Sequence, residues 1–323
     1  MLHGADRKAP TRRLCCLLGM ISLFGLLAHL AGECAPSQSQ EPAVPRLPAV
    51  EFVGQWGSQG DQPGQLNDPV GPAIDVAGRV YLASRGKGSV DKFAPNGVPL
   101  LSFDYPLLHG TSGIAVDRGG GIYVADLRAG RMQIFFPQGD LLRGFQIVPQ
   151  RDWQGPFGFS VDAEGRVFVP DPEGGRIRVL DSRGRMERSW EIPVISPDQR
   201  RCPAITAAAN GFVYAGDACS GSIAKFTPDG QQVTAWGEKP GVPFPLVSLA
   251  VSAKYVFVLR DAEPRFEIWT LDGQLQATDN LSGHLNGTTP GKASLAVTSQ
   301  DELIVLDPAV ARVLRFRIHL DPS

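Results

Sequence analysis

The chain has 323 residues, of which 43% are hydrophobic and 20% charged, and its formal net charge is −2. That composition excludes a disordered or coiled-coil chain, and the near-neutral charge lacks the electrostatic footprint of a nucleic-acid binder. With 37 glycines and 27 prolines, many short elements joined by tight turns are expected.

Residues 1–33 read as a signal peptide or membrane anchor. Arg7, Lys8, Arg12 and Arg13 precede the apolar run 14–31, short for a spanning helix and long for a signal core. Leu30-Ala31-Gly32-Glu33-Cys34 is similar to the lipidation box of bacterial lipoproteins, with Glu33 as a departure and Cys34 as the possible lipidated residue. Residues 34–49 form a Pro/Ser/Gln-rich linker that cannot bury a core. Without residues 1–33 the net charge is −4. The expectation is an exported protein, periplasmic or membrane-anchored facing the periplasm or cell exterior, with its N-terminus as a possible tether.

From residue 50 onward the sequence repeats itself. Gly78-Arg-Val-Tyr-Leu-Ala-Ser84, Gly120-Gly-Ile-Tyr-Val-Ala-Asp126, Gly165-Arg-Val-Phe-Val-Pro-Asp171 and Gly211-Phe-Val-Tyr-Ala-Gly-Asp217 recur, followed by Tyr255-Val-Phe-Val-Leu-Arg-Asp261 and Asp301-Glu-Leu-Ile-Val-Leu-Asp307. Their last residues are spaced 42, 45, 46, 44 and 46 apart. Each unit reads as four strands: an apolar first strand, the strand just quoted, and a third strand such as Arg131-Met-Gln-Ile-Phe135. The fourth follows a Gly turn and carries a bulky residue six positions on (Gly97/Phe103, Gly139/Phe145, Gly184/Trp190, Gly230/Trp236). Unit five departs from this, with Asp279 at the bulky position. Four-stranded units repeated radially make a β-propeller, so the predicted fold is an all-β, six-bladed propeller over 50–320. The sixth unit stops after its third strand, and Glu51–Gly57 is expected to complete it, with Trp56 at the bulky position.

Gly54-Gln-Trp-Gly57 through Gly60-Asp-Gln-Pro-Gly64, then Gly113-Ile-Ala-Val-Asp117, Ile122-Tyr-Val-Ala-Asp126 and Arg131-Met-Gln-Ile134, resemble NHL repeats, most closely in units one to three. Ser84 stands where that repeat usually has Asp. The resemblance implies a fold family whose relatives include zinc-dependent amidating lyases, other six-bladed propellers including calcium-dependent lactonases, and the N-terminal segment makes this chain an exported, bacterial-type member.

Asp126, Asp171, Asp217, Asp261 and Asp307 read as loop-closing carboxylates rather than metal ligands, because four are followed by Arg at a near-constant interval (Arg131, Arg176, Arg265, Arg312). In an oxidising compartment Cys202 and Cys219 are expected to form a disulfide. If the Asn210-Gly211 turn is a two-residue loop, their positions face each other; a four-residue turn would leave them diagonal. Function is expected on the face carrying the long loops between one unit and the next, where Arg151, Trp153, Arg201 and His109 are the candidate partner-binding residues. No catalytic, cofactor or metal residue is assigned. The leading reading is a monomeric, non-catalytic module recognising a protein, peptide or glycan partner in the cell envelope, with no cofactor. The alternative is a metal-dependent lyase or lactonase using calcium or zinc, with Asp68, Asp104, His109 and His284 as ligands.

Overall fold

The structure is a computed structural model that describes residues 50–147, 158–171, 174–192, 203–218, 220–237, 246–260, 265–281, 283–285 and 293–320. Strand β1, Val50–Trp56, belongs to the last blade in the ring. Blade one is β2 (Pro69–Ile74), β3 (Val80–Ser84), β4 (Ser89–Phe93) and β5 (Pro99–Asp104). Blade two is β6 (Gly113–Val116), β7 (Ile122–Asp126), β8 (Arg131–Phe135) and β9 (Leu141–Gln146). Blade three is β10 (Ser160–Val161), β11 (Val167–Asp171), β12 (Arg176–Leu180) and β13 (Met186–Glu191); blade four is β14 (Pro203–Ala209), β15 (Phe212–Asp217), β16 (Ile223–Phe226) and β17 (Gln232–Trp236). Blade five is β18 (Leu246–Val251), β19 (Tyr255–Arg260), β20 (Arg265–Thr270) and β21 (Leu275–Asn280). Blade six is β22 (Ser294–Val297), β23 (Glu302–Asp307), β24 (Arg312–Ile318) and β1.

The six inner strands adjoin one another in sequence order, and β22 returns to β2, so the sheets form a closed ring. Strands β3, β7 and β11 are buried along their whole length, which is why they read as continuous aromatic and β-branched runs. The outer strands β5, β9 and β13 are exposed or half-buried along their length. Six hydrophobic clusters fill the six junctions between blades. The cluster between blades six and one contains Val80, Leu82, Ile304 and Val313, and that between blades five and six contains Phe257, Phe266, Leu303 and Phe316.

Closure follows the predicted scheme. β1 runs antiparallel to β24, pairing Val50 with Ile318 and Trp56 with Val313. Trp56 lies 4.4 Å from the Phe93 ring of blade one, so the residue that completes blade six also seals the seam with its neighbour.

The bulky residue of each outer strand covers the glycine of the next blade's outer hairpin. A Cβ on Gly97 would lie 2.3 Å from Trp56, on Gly139 2.7 Å from Phe103, on Gly184 2.3 Å from Phe145, on Gly230 2.7 Å from Trp190 and on Gly273 2.7 Å from Trp236. Blade six obtains its fourth strand from the other end of the domain and has no such hairpin. The residue facing that junction from blade five, Asp279, therefore has no glycine to cover, and the departure of unit five from the repeat is explained by the closure itself. Gly184→Ala is expected to cost about 2–4 kcal/mol, combining a side chain at φ +82° with overpacking against Phe145. Gly211→Ala, at φ +73° with nothing within 4 Å, should cost about 1 kcal/mol. Urea unfolding of both variants checks this; equal losses would show that the aromatic lid is not what requires glycine.

One register assignment needs correction, and one loop-closing carboxylate gains a second partner. In blade five the residue equivalent to Asp126 and Asp307 is Arg260, which pairs with Arg265 as Asp126 pairs with Arg131; Asp261 is one position further on and lies outside the described residues. In blade three Asp171 pairs in register with Arg176, at 3.6 Å as expected, and also holds Arg178, two positions on along the same face, at 2.7 Å.

Candidate functional site

Each inner strand begins on the face where the loops between blades and between second and third strands gather. Each ends on the opposite face, which carries the short hairpins. On the long-loop face, polar side chains hold the loops to the frame. The segment Gly60–Gln65 folds back on itself through hydrogen bonds from the backbone N–H of Gly60 to Leu66 O (3.1 Å) and of Leu66 to Ser58 O (2.9 Å). Leu66 is thereby driven into the core with no exposed surface. Lys87 Nζ clamps this loop, donating to Gln65 O at 2.6 Å and to Asp91 Oδ1 at 3.1 Å. In the next loop, Leu108 plugs the junction of blades one and two in the same way, and Thr111 Oγ1 donates to its carbonyl at 2.6 Å.

The recurring carboxylates act as loop closers. Asp126 pairs with Arg131 at 2.8 Å and accepts from the Ala129 N–H at 2.9 Å. Asp171 accepts from the Gly174 N–H at 2.9 Å, and Asp217 from the Ser220 N–H at 3.3 Å. Asp307 lies 3.5 Å from Arg312. Blade one uses another solution. Asp91, fully buried on the third strand, collects Ser84 Oγ (3.3 Å), Ser89 Oγ (3.1 Å) and Ser102 Oγ (2.7 Å), which accounts for Ser84 in place of Asp. In blade five the polarity is inverted: Arg260 Nε donates to Glu267 Oε2 at 2.8 Å, with both side chains buried. Arg260 Nη1 also reaches the Gly221 carbonyl of blade four at 2.8 Å.

The four residues of the metal-site alternative are not assembled into a ligand set. Asp68 is bound to Arg85 at 2.6 Å, and His109 Nδ1 is 2.9 Å from the Arg85 carbonyl, so both brace the blade-one loop. The His284 ring stacks on Phe52 at 4.8 Å and its carbonyl accepts from Arg312 Nη2 at 2.9 Å, across the seam of blades five and six. Asp104 is exposed at the end of β5. Among the described residues no group of three or more His, Cys, Asp or Glu side chains is placed to hold a metal ion. Arg151, Trp153, Arg201, Cys34, Cys202 and Cys219 lie outside the described residues. The Asn210-Gly211 turn is the two-residue type, with Ala209 paired to Phe212, and the register shifts by one between Pro203 and Ile205.

A cleft of about 170 Å³ lies on the hairpin face between blades three and four, lined by Asp162, Arg166, Phe168, Asn210, Phe212 and Pro228 among others. Its arginine is committed to Asp162 at 2.6 Å and Glu164 at 3.4 Å. Sequence reasoning missed this cleft because its walls come from hairpins far apart in the chain.

On the same face, Asp75 closes the first hairpin of blade one. It accepts from the Arg79 N–H (3.0 Å), Arg79 Nε (2.6 Å) and Tyr81 Oη (2.9 Å). Burial pushes this carboxyl up, but the bonds from the Arg79 backbone, Tyr81 and the Arg79 side chain outweigh it and hold the group below its ordinary value. Burial, then Asp75, push the Tyr81 hydroxyl up. A carboxyl depressed by folding stabilises at neutral pH and loses that contribution as pH falls through its folded value. Asp75→Asn is therefore expected to lower the melting temperature at pH 7, with the gap to wild type narrowing below the ordinary carboxylate range. A gap independent of pH would count against this role.

These features define a six-bladed β-propeller whose described polar groups are largely engaged in its frame. No family model and no curated protein sequence matches the chain. Among solved structures it is similar to a streptogramin B lyase, with 12% identity and a TM-score of 0.60 over 84% of this chain and 97% of that one. It is also similar to the β-propeller domain of Cps50 (Swd1) from Myceliophteria thermophila, with 10% identity and a TM-score of 0.59 over 84% and 100% of the two chains. A third similar structure is BBS1N in complex with ARL6DN, with 12% identity and a TM-score of 0.51 over 80% of each chain. Likenesses at these identities establish the fold.

Proposed function

We propose that this chain is an exported, non-catalytic binding module of NHL type, tethered at or near a membrane by its N-terminal segment. Its long-loop face, braced at the described loops, presents a surface to a protein, peptide or glycan partner. One observation carries this reading: the described side chains first suited to chemistry, Asp68, His109, Asp126 and Asp171, are bonded to backbone or to arginines that hold the loops in place. A face built this way is preorganised for recognition. The similar structure of BBS1N contains a protein partner, which supports recognition as a use of such a ring.

Metal analysis of the chain from Ala35 to Ser323, prepared without chelator, tests the reading. A metal-free, folded protein is expected. Near-stoichiometric calcium or zinc would overturn the proposal in favour of a metal-dependent lyase or lactonase. With a captured envelope partner in hand, Trp153→Ala combined with Arg201→Ala is expected to weaken binding at least tenfold, the range of a hot spot. Unchanged affinity would remove the long-loop face from the proposal.

A further inference from the structure

On the short-hairpin face exposed apolar residues are densest on the outer hairpins of blades one and two, with one each, Met186 and Val233, on those of blades three and four. Val98, Leu100, Phe136, Leu141 and Leu142, on the outer hairpins of blades one and two, expose between 41% and 53% of their surface. In each described outer hairpin a bulge leaves one residue unpaired: Leu100, Leu142, Glu187, Val233 and Gln276. Glu187 and Gln276 show that a polar residue is compatible with this position, so its leucines in blades one and two are not required by the fold. The bulge also interrupts the ladder and so disfavours addition of a partner strand there. What remains available is the apolar side chains themselves. The stretch 93–103 contains no charged residue, and 135–142 contains one, Asp140, so this patch can leave water with little burial of charge.

The direction of β1 says what covers it. Val50 pairs with Ile318, the far end of β24 from Arg312, so β1 starts on the hairpin face and runs toward the long loops. The chain before it, with the 16-residue linker 34–49 and the apolar run 14–31, therefore joins the propeller on the hairpin face. The long-loop face is one strand length, about 20 Å, further from that junction. We infer that the outer hairpins of blades one and two dock on the phospholipid surface to which the N-terminal segment tethers the chain, leaving the long-loop face turned away from the membrane and open to a partner. This inference rests on the tethered reading above. Tethering makes the contact intramolecular, so a patch too small to hold a free protein on a bilayer suffices.

The test uses the full-length chain in phosphatidylethanolamine/phosphatidylglycerol vesicles doped with a phospholipid bearing a photoactivatable acyl chain. Flotation is followed by irradiation and peptide mapping. Labelling of 94–101 and 136–142 is expected at least fivefold above that of 104–111 on the long-loop face. It should fall at least fivefold in the Leu100→Gln/Leu142→Gln variant, while labelling of 14–31 is unchanged. Labelling confined to 14–31 would overturn the docking but leave the tether, and would return the apolar hairpins to a protein partner. Predominant labelling of 104–111 would overturn the orientation. A chain that does not float would overturn the tethered reading and the docking with it. The wild-type map is read independently of whether the variant folds.

Discussion

A chain beginning at Gly57 is expected to lose its cooperative unfolding transition, whereas a chain beginning at Val50 keeps it. The seven residues between these starts are the whole of β1, and they contribute little burial of their own; Phe52 and Val53 are exposed. Their importance is positional. Without them the edge of β24 is unpaired from Val313 to Ile318, and an open hydrophobic edge is prone to association. The seam between blades six and one loses Trp56 from the face of Phe93. Because each blade is stabilised chiefly by its neighbours, one open seam is felt around the ring. The loss is expected to be of the order of the domain's whole stability, about 5–15 kcal/mol. Thermal melts of the two chains check it, and a peptide corresponding to residues 50–57 should restore part of the transition. Equal melting temperatures would mean that the ring does not depend on closure by this strand. Trp56→Ala should reproduce about 2–3 kcal/mol of the effect, less than a fully buried aromatic, since Trp56 is half-buried.

Substitution of either member of the Arg260–Glu267 pair is expected to be the most damaging single polar change in the described structure. Both side chains are nearly inaccessible, at 4% and 6% exposure, and the arginine ties blade five to the Gly221 carbonyl of blade four. Glu267→Leu strands a buried guanidinium, and Arg260→Met strands a buried carboxylate that still accepts from Trp269 Nε1 at 3.1 Å. Each single change should cost about 3–5 kcal/mol, whereas the double variant should recover most of that loss, because replacing a buried ion pair by apolar groups is often nearly neutral. Urea unfolding of the four-protein cycle measures the coupling. Additive losses, or single losses below 1 kcal/mol, would show that the pair is not desolvated in solution.

Much of this architecture was legible in the chain because a propeller repeats its chemistry. The buried second strands announced themselves as runs such as Val80–Ser84 and Val167–Asp171, and the hairpins by their Pro-x-Gly turns, so the number of blades and the closing strand could be read from spacing. Reading failed where the repeat was silent about contacts between units. Asp261 fits the repeat spacing better than Arg260, lying 44 and 46 residues from Asp217 and Asp307 against 43 and 47, yet the strand register places Arg260 at the equivalent position, and a shift of one residue reverses which side chain faces the seam. Nor could the chain reveal that Asp91 replaces the missing carboxylate of blade one, because the three serines that collect around it lie on three different strands.

The candidate site divides in the same way. His109, Asp68 and His284 are suitable ligands by residue type, yet the fold places them against Arg85 and Phe52, where they hold loops together.

The amino-acid sequence by itself determined the blade count, the strand order and the seam where the ends of the domain meet, because these depend on local periodicity and turn chemistry. Only the tertiary structure decided what the bulky outer residues and their glycines are for, since lid and turn come from adjacent blades about 40 residues apart. The tertiary structure alone also placed the start of β1 and the apolar hairpins of blades one and two on one face, because a face of the ring is defined only once every strand has a direction.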